Sequence, residues 1–221
     1  MRKYLIILLL ILCPFFLFAQ SENPDIKELD KQLEEMFEAD QGVRKELVRI
    51  SVEYKDRPEL KGMMDSLLIV MREKDTINQK IVSDLLDSKG WPSGLSFKAN
   101  NTIFLIIQHG DAEYMNKYAP LVEQAYKDEK IGGSQYAIFV DRIRMYAGKP
   151  QIYGSQTIKI SNIIYIWPIE DVENVESRRQ KMNLPTMDQY LEYFKSGSEV
   201  VWDKNITIEE LRKKDGYRFS W

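Results

Sequence analysis

The one histidine of the 221-residue chain lies in a short polar segment that directly follows an apolar run. Gln108, His109 and Asp111 occur together there, with Gly110 between the last two. Imidazole normally titrates between about pH 5 and 8, so His109 is the first candidate for proton transfer near neutrality. If Gly110 ends the preceding helix, both His109 and Asp111 can face one cleft, where the helix dipole favours a protonated imidazole by about 0.3–1 kcal/mol. The alternative is a neutral packing histidine bonded to a backbone carbonyl.

Two pairs of opposite charge fall within predicted helices. Asp141 and Arg142 stand among apolar residues, where a charge must be paired or exposed because burying it alone costs several kcal/mol. Asp40 and Arg44 are four residues apart, a spacing that stabilises a helix by about 0.2–0.5 kcal/mol. Each pair has two interpretations. It is an ion pair that locks helices together, or its arginine binds a carboxylate or phosphate through two hydrogen bonds.

A run of uncharged polar residues follows Asp141 and Arg142 along the chain. In an extended segment Gln151, Tyr153 and Ser155 share one face, and Gly154 permits a close approach of the backbone. With Gln156 these side chains form a hydrogen-bonding surface suited to a sugar or a peptide. The alternative is a polar turn whose side chains satisfy the backbone of its own loop.

The sequence lacks the complete signatures of common catalytic sites. Ser155 is without the second glycine of a nucleophile elbow, and no phosphate-binding glycine loop occurs. Catalytic zinc usually needs three protein ligands, and the chain has one histidine and no cysteine after residue 13. Asp40, Asp111 and Asp141 belong to no magnesium or calcium loop motif. We therefore expect no metal and no cofactor, and the sequence leaves open whether the protein is an enzyme.

The N-terminus has the pattern of a secretory signal peptide. A basic start is followed by an almost wholly apolar stretch over 4–18 and by small or polar residues at 19–21. That stretch is shorter than the roughly 20 residues of a membrane span. We expect residues 1–20 to direct export to the periplasm or the exterior, with an uncleaved anchor as the alternative. Cys13 is the only cysteine, and the apolar residues after it disfavour lipidation.

Charge and composition limit the classes of partner. The chain has 31 basic and 34 acidic residues, and removing Arg2 and Lys3 changes the net charge from −3 to −5. Nucleic acid binding requires a basic stripe, which the sequence lacks. An apolar content of 44% over about 200 mature residues suits one domain. Membrane contact is expected only through the N-terminal segment, if it is retained.

Periodicity predicts a mainly α fold of the α+β type, with a helical domain over 21–195. A first helix begins at Pro24 and is interrupted or bent at 40–42. A second begins at Pro58, and charged residues break its apolar face over 72–78. Further helices are predicted after the Ser96 cap and over 120–128, 134–146 and 171–182. Capping boxes begin at Thr186 and Thr207.

One small antiparallel β-hairpin is predicted near 156–167, where isoleucine and aromatic residues flank Ser161-Asn162. Residues 196–221 mix glycine, charge and aromatics, which we interpret as a peripheral C-terminal appendage. Arg178 and Arg179 are interpreted as a solvated helix face.

Several spaced motifs form a recognisable series: Asp40-Gln41 with Arg44, Gly90-Trp91-Pro92, Gln108-His109-Gly110-Asp111, Asp141-Arg142, and the segment from Gly148 to Gln156. The series resembles an uncharacterised bacterial family, a domain of unknown function, in which a QHAD-like, a DR and a GxxQxYGTQ-like motif recur in this order. The resemblance spans about Asp25 to Tyr190. Ser155 replaces the usual threonine and Gly110 the usual alanine. The resemblance implies a shared fold and a shared site, and brings no known reaction.

These features favour an exported binding or interaction domain with a polar pocket around His109, Asp141-Arg142 and the 151–156 segment. Its partner would be an unidentified small molecule, glycan or peptide. The expected ligand contacts are Arg44, Gln108, Arg142, Gln151, Tyr153, Ser155 and Gln156. The alternative is an envelope hydrolase that uses His109 with Asp111 or Asp141 as acid and base.

Overall fold

A computed structural model describes residues 24–194 and 199–218 of the chain. This part is mainly helical and carries one small sheet, as the sequence pattern predicts. The predicted signal peptide over 1–20, with Cys13, lies outside the described residues. Within the described ranges, no helix combines the length and the apolar character that crossing a membrane would require.

The elements follow one another in a helical half and a mixed half. The helices are α1 (Pro24–Glu53), α2 (Leu60–Lys89), α3 (Phe97–Gln108), α4 (Ala112–Lys127), α5 (Gly133–Tyr146), α6 (Val175–Lys181), α7 (Met187–Glu192) and α8 (Ile208–Arg212). The strands are β1 (Thr157–Ile160), β2 (Ile163–Ile166) and β3 (Glu199–Val201).

Helix α1 is continuous through 40–42, where the sequence allowed an interruption. Its apolar stripe persists on one face, so that Leu33 and Ile50 are both buried. Asp40 lies on the same inner face and is only 4% exposed. Because α1 packs against α2 and α3, the helix carries a carboxylate into the contact between three helices.

Helix α3 is central to the main hydrophobic core. Ser96 caps it, since the Ser96 Oγ accepts a hydrogen bond of 3.1 Å from the Ala99 amide. Ile103, Phe104 and Ile107 are almost fully buried in this core. The helix ends at Gln108, and His109 occupies the capping position at its C-terminus.

Helix α4 begins earlier than the sequence pattern indicates, at Ala112 instead of near Pro120. Asp111 provides the start, because its Oδ1 accepts a hydrogen bond of 2.8 Å from the Tyr114 amide. Pro120 lies inside the helix at an exposed position, while Met115 and Tyr118 are buried. Burial of the apolar face therefore outweighs the hydrogen bond that proline removes.

The sheet consists of the predicted hairpin and one further strand. Strands β1 and β2 pair antiparallel with Thr157 opposite Ile166, and β3 pairs with β2 in parallel. Leu211 of α8 is fully buried against the hairpin. Residues 199–218 thus pack into the mixed half, more closely than the peripheral position expected from their composition.

Candidate functional site

The His109 imidazole lies at the end of α3, packed against the inner face of α1. Its Nδ1 is 3.9 Å from Oδ2 of Asp40, too far for a hydrogen bond. This nitrogen is buried and has no hydrogen-bond partner among the described residues. The side chain as a whole keeps 19% exposure, so one part of the ring reaches solvent.

Arg44 and Asp75 complete a charged cluster around this ring. The Arg44 Nε donates to Oδ2 of Asp40 at 3.2 Å, and its Nη2 donates to Oδ1 of Asp75 at 2.6 Å. Arg44 therefore joins α1 to α2, as the ion-pair interpretation of Asp40 and Arg44 expected. Asp75 was not identified from the sequence, and its one signal is the charged break over 72–78 in the apolar face of α2.

Burial determines the charge of the imidazole. It lowers the pKa of His109 to about 4, with the Arg44 and Arg142 guanidinium groups acting in the same direction and Asp40 against it. His109 is therefore neutral at pH 7. The expectation that the helix dipole favours a protonated ring is wrong, because desolvation and two cations exceed an effect of about 0.3–1 kcal/mol.

The second aspartate of the cluster also departs from its ordinary behaviour. Burial raises the pKa of Asp75, and the nearby Asp40 carboxylate adds to that rise while Arg44 opposes it. One carboxylate oxygen of Asp40, one of Asp75 and one imidazole nitrogen of His109 all lie within 4.8 Å of one another. These donor types are the ones that divalent transition metals accept.

Arg142 connects the end of α3 to the polar segment after α5. Its Nη1 donates to the Gln108 carbonyl at 3.0 Å, and its Nε contacts Oε1 of Gln156 at 3.4 Å. Burial lowers the pKa of Arg142, and Arg44 contributes in the same direction. No carboxylate within the described ranges forms an ion pair with this partly buried guanidinium.

Asp141 holds the loop that leads from α5 to the sheet. It is fully buried, and its Oδ1 accepts from the amides of Ile152 and Tyr153 at 2.7 and 3.0 Å. Its Oδ2 accepts from the amide and the hydroxyl of Ser155 at 3.0 and 2.8 Å. Burial raises the pKa of Asp141, although these four donors act against the rise. Both oxygens are thus occupied by the loop.

The glutamines of the 151–156 segment hold one another. The Gln151 Nε2 donates to the carbonyls of Gln156 and Trp167 at 3.0 and 2.6 Å, and its Oε1 accepts from the Gln156 amide at 2.7 Å. The Gln156 Nε2 donates to Ser155 Oγ at 3.1 Å. Both side chains are buried. The 151–156 segment is therefore a polar turn whose side chains satisfy the backbone of its own loop, which is the alternative interpretation given above.

Two arginines of α6 also serve this loop. The Arg179 Nη1 donates to the carbonyls of Tyr153 and Gly154 at 2.7 and 3.2 Å, and the Arg178 Nε donates to the Ile152 carbonyl at 2.9 Å. Arg179 is only 1% exposed. The interpretation of these arginines as a solvated helix face is wrong, because loop carbonyls provide buried acceptors that a sequence pattern does not reveal.

The predicted site residues therefore fall into two groups and one outlier. His109 and Arg44 lie in the charged cluster with Asp40 and Asp75, and the second group is joined by hydrogen bonds. Hydrogen bonds link Gln108 through Arg142 to Gln156, and from there to Ser155, Asp141 and Gln151. The outlier is Asp111, which is exposed and caps α4.

Two hollows lie elsewhere in the described part. One, of about 270 Å³, is lined mostly by apolar residues of α1 and α2, and one, of about 530 Å³, lies beside α6 and α7. Neither is lined by the cluster around His109.

Comparison with known proteins places the chain in a family without adding an activity. No curated protein and no solved structure is significantly similar to it. The sequence model of a family of unknown function, DUF6624, matches residues 26–200. That range contains Asp40, Asp75, His109 and Arg142 together with the loop that Asp141 holds. Since the match spans well over half of the sequence, the chain belongs to the family of unknown function DUF6624.

Proposed function

We propose that the protein is an exported binding protein whose site lies at the end of α3, and that Arg142 binds the anionic group of a small ligand. The observation that carries the proposal is that Arg142 is a partly buried cation without a carboxylate partner in the described ranges. An unpaired buried charge costs several kcal/mol unless a counter-charge compensates it. A ligand carboxylate or phosphate would supply that charge through the planar guanidinium.

A second group beside Arg142 narrows the chemistry of the ligand. Oε1 of Gln108 is buried and has no hydrogen-bond partner in the described part of the chain, while the backbone carbonyl of the same residue already binds Arg142. A buried acceptor without a donor costs about 1–3 kcal/mol. The site therefore favours an anion that also carries an O–H or N–H donor, such as a sugar acid or the carboxyl end of a peptide.

Export is part of the proposal and is supported by the pattern of residues 1–20, with a basic start, an apolar stretch and small residues. The mature chain would meet glycans and peptides outside the cytoplasm. Membrane contact, if any, would come from this N-terminal segment, and the absence of a basic stripe disfavours nucleic acid as a partner.

The proposal is tested by titrating the metal-free protein, kept in EDTA, with glucuronate and with the dipeptide Ala-Ala. The imidazole signals of the single histidine report binding by NMR. Saturable shifts are expected, and Arg142→Gln should weaken them about tenfold or more. Arg144→Gln is the matched control on α5, because Arg144 is already paired with Glu170.

Absence of saturable shifts with both probes would contradict this proposal, as would equal affinity of the Arg142→Gln protein and the unaltered chain. Circular dichroism of both variants checks that the comparison is made between folded proteins. Glucose, which lacks the charge, should bind much more weakly than glucuronate if Arg142 supplies the main contact.

Acid–base catalysis is the second candidate, and one observation favours it. His109 has an imidazole nitrogen with no hydrogen bond to any described residue, 3.9 Å from Oδ2 of Asp40, and a free imidazole nitrogen beside a carboxylate is a pairing that general acid–base catalysis uses. Incubation with peptidoglycan fragments, followed by mass spectrometry, separates the two functions. Products that form with the unaltered chain and not with folded His109→Gln would establish hydrolysis, whereas binding without products leaves the first proposal.

A further inference from the structure

We propose that Asp40, Asp75 and His109 bind a divalent transition cation of the Zn²⁺ or Mn²⁺ class. The proposal goes beyond anion binding at Arg142, because these three side chains would hold the cation whether or not an anion is present. They come from α1, α2 and the end of α3, three elements that pack directly against one another. Two of the proposed ligands therefore stand on helices, and His109 occupies the C-terminal cap of a third.

The geometry is that of three donors around one centre. One oxygen of each aspartate and one imidazole nitrogen lie within 4.8 Å of one another, and Nδ1 of His109 is 3.9 Å from Oδ2 of Asp40. Two ligands of a tetrahedral zinc ion, each about 2.0–2.2 Å from the metal, are about 3.4 Å apart. Closing the observed gap by about half an ångström would bring both atoms to a common ion.

An independent observation is the unused imidazole nitrogen. His109 Nδ1 is buried, faces Asp40 and makes no hydrogen bond within the described residues. A buried nitrogen of this kind normally finds a partner, because leaving it without one costs about 1–3 kcal/mol. A metal ion between Nδ1 and the carboxylates would give this nitrogen the partner that it lacks.

Arg44 occupies the position of a supporting group for this site. It already donates to both aspartates. Groups that hydrogen-bond to ligating carboxylates orient them for the metal.

The ligand set selects the class of cation. An imidazole suits zinc and iron, and carboxylates suit manganese and magnesium. One imidazole with two carboxylates therefore favours Zn²⁺ or Mn²⁺ over Ca²⁺, which prefers six to eight oxygen ligands. Three protein ligands also leave a coordination position open, which is the arrangement of catalytic sites and not of closed structural ones.

The test uses the chain without a histidine tag, stripped with EDTA and titrated with ZnCl₂ or MnCl₂ in a buffer free of phosphate and carboxylates. Isothermal calorimetry should show one saturable site. Zn²⁺ should shift the ¹⁵N resonance of His109 Nδ1, and Mn²⁺ should broaden the imidazole signals. Asp75→Asn and His109→Gln should each weaken binding about tenfold or more.

The matched control is Asp84→Asn, the same change at an exposed position of α2, 67% accessible and paired with Lys80. It should bind the metal as the unaltered chain does. The proposal would be overturned if the metal did not bind saturably, or if Asp75→Asn left metal binding unchanged. If either variant does not fold, the Zn²⁺-induced ¹⁵N shift of His109 in the unaltered chain decides. Because anion binding is measured in EDTA, each proposal can fail without the other.

Discussion

At the scale of single residues, the protonation of His109 is set by where its ring lies and not by the helix end that carries it. The ring is mostly buried, next to Asp40 and within the field of two guanidinium groups. The sequence identified this histidine as the first candidate for chemistry. The charge of His109 at neutral pH depends on how α1 packs against α3, and the residues around His109 in the sequence do not determine that packing.

The first prediction concerns this ring in the metal-free protein. An NMR titration of the single histidine in EDTA should give a pKa of about 4, against 6.5 for an exposed imidazole. Because the folded pKa is the lower one, the unfolded chain binds more protons between these values. The free energy of unfolding therefore falls as the pH drops from 6.5 towards 4, by an amount on the order of 3 kcal/mol.

Urea denaturation at pH 7 and at pH 4.5 measures this loss. His109→Gln serves as the reference, since glutamine does not titrate and the variant retains the pH response of all carboxyl groups. The difference between the two proteins isolates the imidazole. An NMR pKa close to 6.5 would contradict the burial seen for this ring.

At the scale of elements, the loop over 151–156, which connects α5 to β1, depends on one glycine with a positive φ. Gly154 has φ +71°, and a Cβ there would lie 2.8 Å from both Ile169 Cδ1 and Met187 Sδ. Gly154→Ala should therefore destabilise the fold by about 2–4 kcal/mol, the sum of a left-handed conformation and overpacking. Thermal or urea unfolding measures the change.

The matched control lies in the middle of α1. Gly42 is helical, and an added Cβ would meet no atom within 4 Å. Gly42→Ala should raise the free energy of unfolding by about 0.5–1 kcal/mol, because alanine loses less backbone entropy in a helix. Equal effects of the two substitutions would show that the space around Gly154 is not the cause.

Elements were largely predictable because their signals are local. The Ser96 cap, the hairpin around Ser161-Asn162 and the capping boxes at Thr186 and Thr207 all occur as the sequence indicates. The start of α4 is not evident from the sequence, because an aspartate after a glycine suits a polar site as well as a helix cap. Asp75 was missed because it meets Asp40 only through the register of α1 against α2, a property of packing.

At the scale of the whole molecule, α5 joins the helical half to the sheet. Its Phe139 belongs to the main helical core, and its Asp141 binds the loop that enters β1. Asp141 is thus one buried link between the two halves, beside the hydrogen bonds from Arg142 to Gln108 and Gln156. The sequence identifies Asp141 as a candidate site residue. Only the fold shows that its carboxylate oxygens face the backbone amides of the loop.

Asp141→Ala should lower the free energy of unfolding by about 3 kcal/mol or more, because it leaves buried amide donors without acceptors at about 1–3 kcal/mol each. Asp111→Ala, which removes an exposed helix cap, should cost about 1 kcal/mol. Urea unfolding of both variants measures the contrast. Costs of similar size would refute the anchoring role of Asp141.

The parallel pairing of β3 with β2 has a consequence for biogenesis. The outer edge of β2, with the sequence Ile163-Ile164-Tyr165-Ile166, is covered by a strand that is translated more than thirty residues later. Until residues 199–201 leave the ribosome, this apolar edge has no hydrogen-bonding neighbour and is a template for association between nascent chains. The sheet therefore cannot be completed until the segment that carries β3 has been synthesised.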